Sequence, residues 1–337
     1  MASKFRAIIL AVVLVLSGLT ACQALKQSRP VIPIREYEKL IAGRLDAEYV
    51  GMDNCLSACH EHDDLRRAFE ASTMGAQLKR DSGMPLVDCE SCHGPGSLAI
   101  EGITKELVEE NHKKGIKTKC RYETLIDFKK LPAPAKSLIC LKCHTANATF
   151  NLHEWNTGVH ALNDVSCSDC HRVHQGPDLK VRPEETAEMC FRCHREIQAR
   201  FRLTSHHPVP EKRIFCTNCH DPHGTSQEHL LKLPTVRQTC TQCHGEKQGP
   251  FLYEHADLTT ECTNCHSPHG SSNDNLLRLP QPALCLQCHE GHSIVTPSGQ
   301  PASQALRGFF YRRCTNCHSQ IHGTDIPSAT GRGTFIQ

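Results

Sequence analysis

The sequence predicts an elongated, mostly irregular fold, with short α-helices wrapped around groups that are not amino acids and little or no sheet. Three observations lead there. The 337-residue chain holds 22 Cys and 23 His but only 5% aromatic residues. Too few large apolar side chains remain to fill the cores that a chain of this length normally buries. Ten cysteine pairs, each followed at once by histidine, begin at 55, 89, 140, 167, 190, 216, 240, 262, 285 and 314, and from 140 onward the gaps are only 22 to 29 residues. No independent globular domain fits in such a gap. Finally, 19 Pro and 21 Gly interrupt whatever helices form.

Residues 1–21 read as an export signal: Lys4 and Arg6 are followed by an apolar run from Ala7 to Leu16 and by small residues before Cys22. The run is short for a bilayer-spanning helix, and no second stretch reaches that length. "LTAC", Leu19 to Cys22, resembles a lipobox, which makes Cys22 a lipid-anchored first residue; Gln23, where an Asp is absent, resembles sorting to the outer membrane. Residues 22–48 read as a linker and 49–337 as one domain, with two-site repeats clearest in 167–313.

Nine sites have the form Cys-x-x-Cys-His: Cys89, Cys92 and His93; Cys140, Cys143 and His144; Cys167, Cys170 and His171; Cys190, Cys193 and His194; Cys216, Cys219 and His220; Cys240, Cys243 and His244; Cys262, Cys265 and His266; Cys285, Cys288 and His289; Cys314, Cys317 and His318. The tenth, "CLSACH", carries one extra residue between Cys55 and Cys59 and ends in His60. Two thiols at this spacing can form thioethers to the two vinyl groups of a haem, and the adjacent imidazole can then bind its iron. Zinc ribbons, redox dithiols and disulfides do not require a histidine after every second cysteine. The fold class is therefore a multihaem cytochrome c with ten covalently bound c-type haems. Of the remaining cysteines Cys22 belongs to the lipid, and Cys120 reads as a buried thiol acting as a small hydrophobe. Helices are expected at the sites and over Ile103–Lys114.

"CTNCHDPHG" from Cys216 recurs 46 residues later as "CTNCHSPHG" from Cys262, each with a second histidine three residues after the first. His223 cannot share an iron with His220. Axial ligands on opposite faces of a haem place their Cα atoms about 12 Å apart, and three residues reach at most about 10 Å. The second histidine therefore reaches the iron of another haem and clips two haems together. His174, His269 and His292 stand at the same offset, and His322 one residue further. Thirteen histidines lie outside the ten sites, enough to give every iron a second ligand. An electron carrier is implied rather than an enzyme with an open iron.

From about Tyr49 onward, the order of the ten sites and the words "CESCHGPG", "SHHPV", "CHDPHG", "YEHADLTTECTNCHSPHG" and "CTNCHSQIHG" resemble the MtrA/DmsE/PioA family of decahaem c-type cytochromes. The resemblance implies an extended chain of haems, each held by two histidines. By similarity the second ligands are His112, His160, His174, His207, His223, His255, His269, His292 and His322, with His206 the alternative to His207. His62, His153, His206 and His229 are then spare. Two departures stand out. The stretch Ser97–Leu138 is longer than the family's and carries Cys120, and Met74 occupies the place of the first haem's distal histidine.

The resemblance also implies an exported periplasmic or outer-membrane lipoprotein passing electrons between periplasm and cell exterior. Its partners would be an outer-membrane β-barrel porin and periplasmic and extracellular cytochromes, with no nucleic acid. The alternative is a periplasmic donor to a terminal reductase such as dimethyl sulfoxide reductase. Signal cleavage takes the formal charge from +2 to 0 by removing Lys4 and Arg6. Ten ferric haems then bring it to about −10, so basic partner surfaces are expected.

Overall fold

The recurrent element is a single helical turn. In a computed structural model of the chain, described for residues 34–60, 64–72, 74–76, 87–145, 152–174, 183–255, 261–289 and 312–326, the amide of each histidine from His171 to His318 in the last seven sites donates to the carbonyl of its first cysteine at 2.8 to 3.1 Å. That turn brings residues i, i+3 and i+4 to one face, so two sulfurs and an imidazole point the same way. It is either a short α-helix, as at Cys89–His93, Cys167–Cys170 and Cys216–Cys219, or a 3₁₀ turn, as at Cys262–Asn264, Cys285–Gln287 and Cys314–Asn316. Among the described residues there is no strand, only isolated bridges such as His220 with Leu231 and His266 with Leu277. No helix among them is long and apolar enough to cross a membrane.

Side chains start these turns. Ser166, fully buried, and Asp169 close a capping box over Cys167–Cys170, with the Ser166 amide donating to Asp169 at 2.7 Å. At the next recurrence the Phe215 amide donates to Asn218 Oδ1 at 2.6 Å. The expected helix at Ile103–Lys114 is present as Lys105–Lys113. Thr104 caps it by accepting from the Leu107 amide, and Gly115, at φ 67°, follows its end.

The chain sorts into two compact units. The first comprises the segment ending at Cys59 together with Cys89–Leu131, and buries Ile41, Leu56, Ala58, Ala99, Val108 and Ile126. Glu90, only 4% exposed, organises it by accepting from the amides of Val50 (2.9 Å), Gly51 (2.7 Å) and Gly96 (2.8 Å). A buried carboxylate is tolerated when its oxygens are satisfied in this way. The bonds fasten the chain just before Cys55 to the turn that carries Cys89 and Cys92.

The second unit comprises His60–Asp88 and the chain from Pro132 onward. Here helices carrying successive sites pack in pairs: Ala133–His144 on Cys167–Cys170, Pro183–Phe191 on Cys216–Cys219, and Val236–Thr241 on Cys262–Asn264. Beyond the helix that buries Ala135, Ile139 and Leu141, large buried apolar side chains come singly, as Trp155, Phe201, Val209, Leu230 and Leu277. Such a set is thin for a side-chain core, as the composition required.

Candidate haem-binding sites

Among the described residues of the second unit, six pairs of histidines face one another. His171 lies opposite His223, His220 opposite His269, and His266 opposite His322, each with ring centroids 6.1 Å apart and ring planes within 11°, 29° and 16° of parallel. His194 lies opposite His160 at 6.1 Å, His244 opposite His207 at 6.3 Å, and His289 opposite His255 at 5.8 Å. Every pair joins the histidine of one Cys-x-x-Cys-His site to one outside the sites.

The separation matches a metal held between two imidazoles. Metal–nitrogen bonds of about 2.0 Å on each side put the ring centroids about 6.2 Å apart. A bare zinc would need four protein donors, and among the described residues no group of three or more His, Cys, Asp or Glu could hold a metal ion. An iron already bound by four porphyrin nitrogens needs only two. Trp155 adds to the fit: it is 6% exposed, and its indole N–H finds no acceptor in the protein. A donor buried unmade costs about 1–3 kcal/mol, which the carboxylate of a haem propionate could relieve.

The backbone sets the tautomers. His220 donates from Nδ1 to the carbonyl of His229 at 2.8 Å, and His266 from Nδ1 to that of Asn275 at 2.8 Å. His160 donates to the carbonyl of Pro222 at 2.9 Å and His207 to that of Pro268 at 2.6 Å. A proton held at Nδ1 leaves Nε2 as the lone-pair donor toward the facing ring. His229 and Asn275 adopt left-handed backbone, φ 56° and 54°, uncommon without a glycine and here aiming a carbonyl at an imidazole. Burial, then the facing His220, pushes the pKa of His269 down to about 4, which keeps this ring neutral.

The second histidine thus reaches the site two before its own. His223 follows the site of Cys216 and faces His171; His269 follows that of Cys262 and faces His220; His322 follows that of Cys314 and faces His266. The proline between the two histidines orients a third site, since Pro222 holds the partner of His194 and Pro268 that of His244. The glycine after the second histidine lets this loop dock. A Cβ on Gly224 (φ 122°) would come 2.6 Å from the carbonyl oxygen of Glu154, and one on Gly270 (φ 156°) 2.0 Å from that of Arg200. Sequence reading missed these roles of Pro222, Pro268, Gly224 and Gly270, although the recurring "PHG" signalled them.

The cysteines give the order of the sites. First cysteines meet in hydrogen-bonding contact: Cys140 with Cys167, Cys190 with Cys216, Cys240 with Cys262, and Cys285 with Cys314. Second cysteines lie within range of one another's charge in the intervening steps, Cys170 with Cys193, Cys219 with Cys243 and Cys265 with Cys288. From Cys140 to Cys314 each site thereby neighbours the next.

Other expectations fare differently. Between the adjacent histidines it is His207 that faces a site histidine, whereas His206 donates from Nδ1 to the Leu203 carbonyl and pairs through Nε2 with Glu211 at 3.1 Å. His153 and His229 are exposed, and His112 is exposed in the last turn of its helix. Met74 is half-buried in a turn, and His174 is exposed after its site. Cys22, His62 and His292 lie outside the described residues. The long stretch after the second site folds back over His93, which donates from Nδ1 to the Ile126 carbonyl at 3.1 Å and packs against Tyr122 and Phe128. Cys120 corrects the expectation of a buried free thiol. It is half-exposed and disulfide-bonded to Cys59, 61 residues away, because this stretch returns to the first site.

Comparison with known proteins agrees with this geometry. The doubled CXXCH motif family matches residues 160–199, 206–249 and 255–293, each span opening at or beside one of His160, His207 and His255. The chain is 36% identical over 289 residues to the multihaem cytochrome MtrA of Shewanella baltica, covering 82% of this chain and 80% of the relative. It is 26% identical over 161 residues to the cytochrome c-type protein NrfB of Haemophilus influenzae, covering 42% of this chain and 64% of the relative.

Proposed function

Because the chain belongs to the family of the multihaem cytochrome MtrA, and is thus an electron carrier with covalently attached c-type haem, we propose that it relays single electrons along ten haems in series between the periplasm and the cell exterior. It would do so as the cytochrome subunit of an outer-membrane porin–cytochrome complex. Haem iron supplies reversible one-electron exchange. The observation that carries the reading is the succession of neighbouring sites from Cys140 to Cys314, in which first cysteines meet at alternate steps and second cysteines lie within range of one another's charge at the steps between. A reaction centre needs an iron left open to substrate; a relay needs repetition, and the repeats from Cys140 to Cys314 supply it.

In this reading the protein's part is to hold and to insulate. The cysteines would fix each haem, and the six facing histidine pairs would each give an iron two neutral nitrogen ligands. At His160, His207, His220 and His266 backbone carbonyls hold the ring in one tautomer. His60, His93, His144 and His318 take their second ligands from Met74, His112, His174 and His292. The export signal and the lipobox at Cys22 support an envelope location, with the lipid holding the mature N-terminus at the outer membrane. A chain of polar loops around haems cannot face hydrocarbon, so passage across the membrane requires a surrounding β-barrel.

Gentle detergent extraction of a tagged full-length protein tests the assignment. A co-purifying β-barrel and an extracellular cytochrome are expected. Recovery with a molybdenum-containing reductase and no barrel would place the relay in periplasmic respiration instead. Intact mass after denaturation should exceed that of the acylated apoprotein by ten haems.

A further inference from the structure

The two irregularities of this sequence meet in the fold. One is the extra residue in the first haem site, which spaces Cys55 from Cys59; the other is Cys120, the cysteine that neither a haem site nor the lipobox uses. The structure joins Cys59 to Cys120, Cα atoms 6.1 Å apart. That separation lies in the ordinary range for a disulfide. The bond is not what brings the two together. Next to Cys120, the Arg121 amide donates to the Ala99 carbonyl at 2.9 Å and the Arg121 guanidinium pairs with Glu101 at 2.8 Å. Further on, the Ile126 amide donates to the His93 carbonyl at 2.9 Å. These bonds hold the chain around Cys120 against the segment after the second site. Glu90 fastens that segment to the chain just before Cys55, and a Cβ on Gly96 within it would lie 3.4 Å from the Cys55 sulfur. Cys120 is thus brought toward the first site independently of the sulfur–sulfur bond.

We propose that the Cys59–Cys120 disulfide is a reducible lock on the loading of the first haem, a role that rests on the reading of Cys55, Cys59 and His60 as a haem site. The Cys59 sulfur can bond either to Cys120 or to a haem vinyl carbon, not to both. In an oxidising compartment the disulfide forms first. A periplasmic dithiol of the thioredoxin class opens it. One thiolate of the dithiol attacks the sulfur of Cys120, a half-buried residue, and the Cys59 thiolate leaves and takes up a proton. The second thiol then resolves the mixed disulfide. Two electrons and two protons pass from the dithiol, which becomes a disulfide, to Cys59 and Cys120, which become thiols. Cys59 then adds across the vinyl double bond: its sulfur bonds to one carbon, its proton goes to the other, and no net electron moves. Cys120 remains a thiol.

The test is peptide mapping of the full-length protein matured in cells, with free thiols alkylated before digestion. Wild type, Cys120→Ser and Cys120→Ala are compared in hosts with the periplasmic thiol reductant present or depleted, the latter also with dithiothreitol in the medium. In the depleted host, wild-type protein should carry the Cys59–Cys120 linked peptide. Its thioether at Cys59 should fall at least about threefold relative to that at Cys219. Dithiothreitol should restore it, and both variants should hold the Cys59 thioether at the Cys219 level throughout. Equal Cys59 thioether in wild type and variants under depletion overturns the lock and leaves the ten-haem reading standing. Absence of haem from Cys55 and Cys59 in every protein and condition overturns the first-site reading, and the lock with it.

Discussion

The repeats between His160 and His289 and the first unit solve the same problem in different ways. In the repeats alternate sites, those of His171, His220 and His266, are completed by the second histidine of a later site, those between by His160, His207 and His255, and the bonds recur at a fixed offset. The Asp221 amide donates to Leu230 and the Lys232 amide to Cys219; 46 residues later Ser267 donates to Leu276 and Arg278 to Cys265. In the first unit nothing recurs. Its two sites are fastened by one buried carboxylate, Glu90, and by a single long excursion that supplies an acceptor for His93 and a sulfur for Cys59. Repetition makes the wire uniform, and individual contacts make its first segment adjustable. Uniformity also means that damage in a repeat should spread to a predictable partner site, whereas damage in the first unit should stay local.

The largest effect should come from a methyl group. Gly270→Ala sets a Cβ against the Arg200 carbonyl and next to the ligand-bearing His269. A clash with backbone cannot be relieved by a rotamer change, and overpacking of this kind costs about 1–3 kcal/mol or more. Thermal unfolding should shift down, and the haem at Cys216 and Cys219, which faces His269, should become partly high-spin. Gly245→Ala is the control, since a Cβ there meets nothing within 4 Å. Equal stability of the two variants would mean that the docking of the "PHG" loop is not what fixes the repeat.

A smaller, sharper effect tests the offset itself. His223→Ala should leave the haem at Cys216 and Cys219, next to it in sequence, six-coordinate and make the one at Cys167 and Cys170 high-spin. His269→Ala should move the defect to the haem at Cys216 and Cys219. Electron paramagnetic resonance of the oxidised proteins, with azide binding to report the open iron, distinguishes the sites when combined with the matching His171→Ala and His220→Ala variants. If His223→Ala opens the haem held by His220, the two-site displacement is wrong.

What could be read from sequence follows the range of the chemistry. Haem attachment needs five consecutive residues, so the sites from Cys89 to His318 were legible, and the second histidine was excluded from its own iron by chain length alone. That His223 would face His171, rather than an adjacent site histidine, depends on how a loop docks through Gly224 onto the chain at Glu154, and no local pattern encodes it. His229, spare as a ligand, contributes its carbonyl instead, because a left-handed backbone turns it toward His220. Cys120 escaped for the plainest reason. Its partner is 61 residues away and was already assigned to haem.

The smallest effect concerns one haem and asks how far the first segment departs from the rest. Met74 lies 14 residues after His60, half-buried beside Gly75, and Gly75 leaves no room for a side chain against the Phe69 carbonyl: a Cβ there would stand 2.0 Å from its oxygen. That packing ties the turn bearing Met74 to the helix Leu65–Glu70. His62 follows His60 by two residues and cannot reach the opposite face of the same haem. Thioether ligation in place of a second imidazole raises the potential of an iron. With Met74 as its ligand, the haem held by His60 would retain an electron more strongly than one held by two imidazoles, making the site a sink at one end of a level wire. The oxidised protein should then show an absorption band near about 695 nm. Met74→His should remove the band and lower the potential of one haem while the other nine keep theirs. With no band in the wild type and no potential changed by the substitution, Met74 is packing, and the first site is completed by another residue.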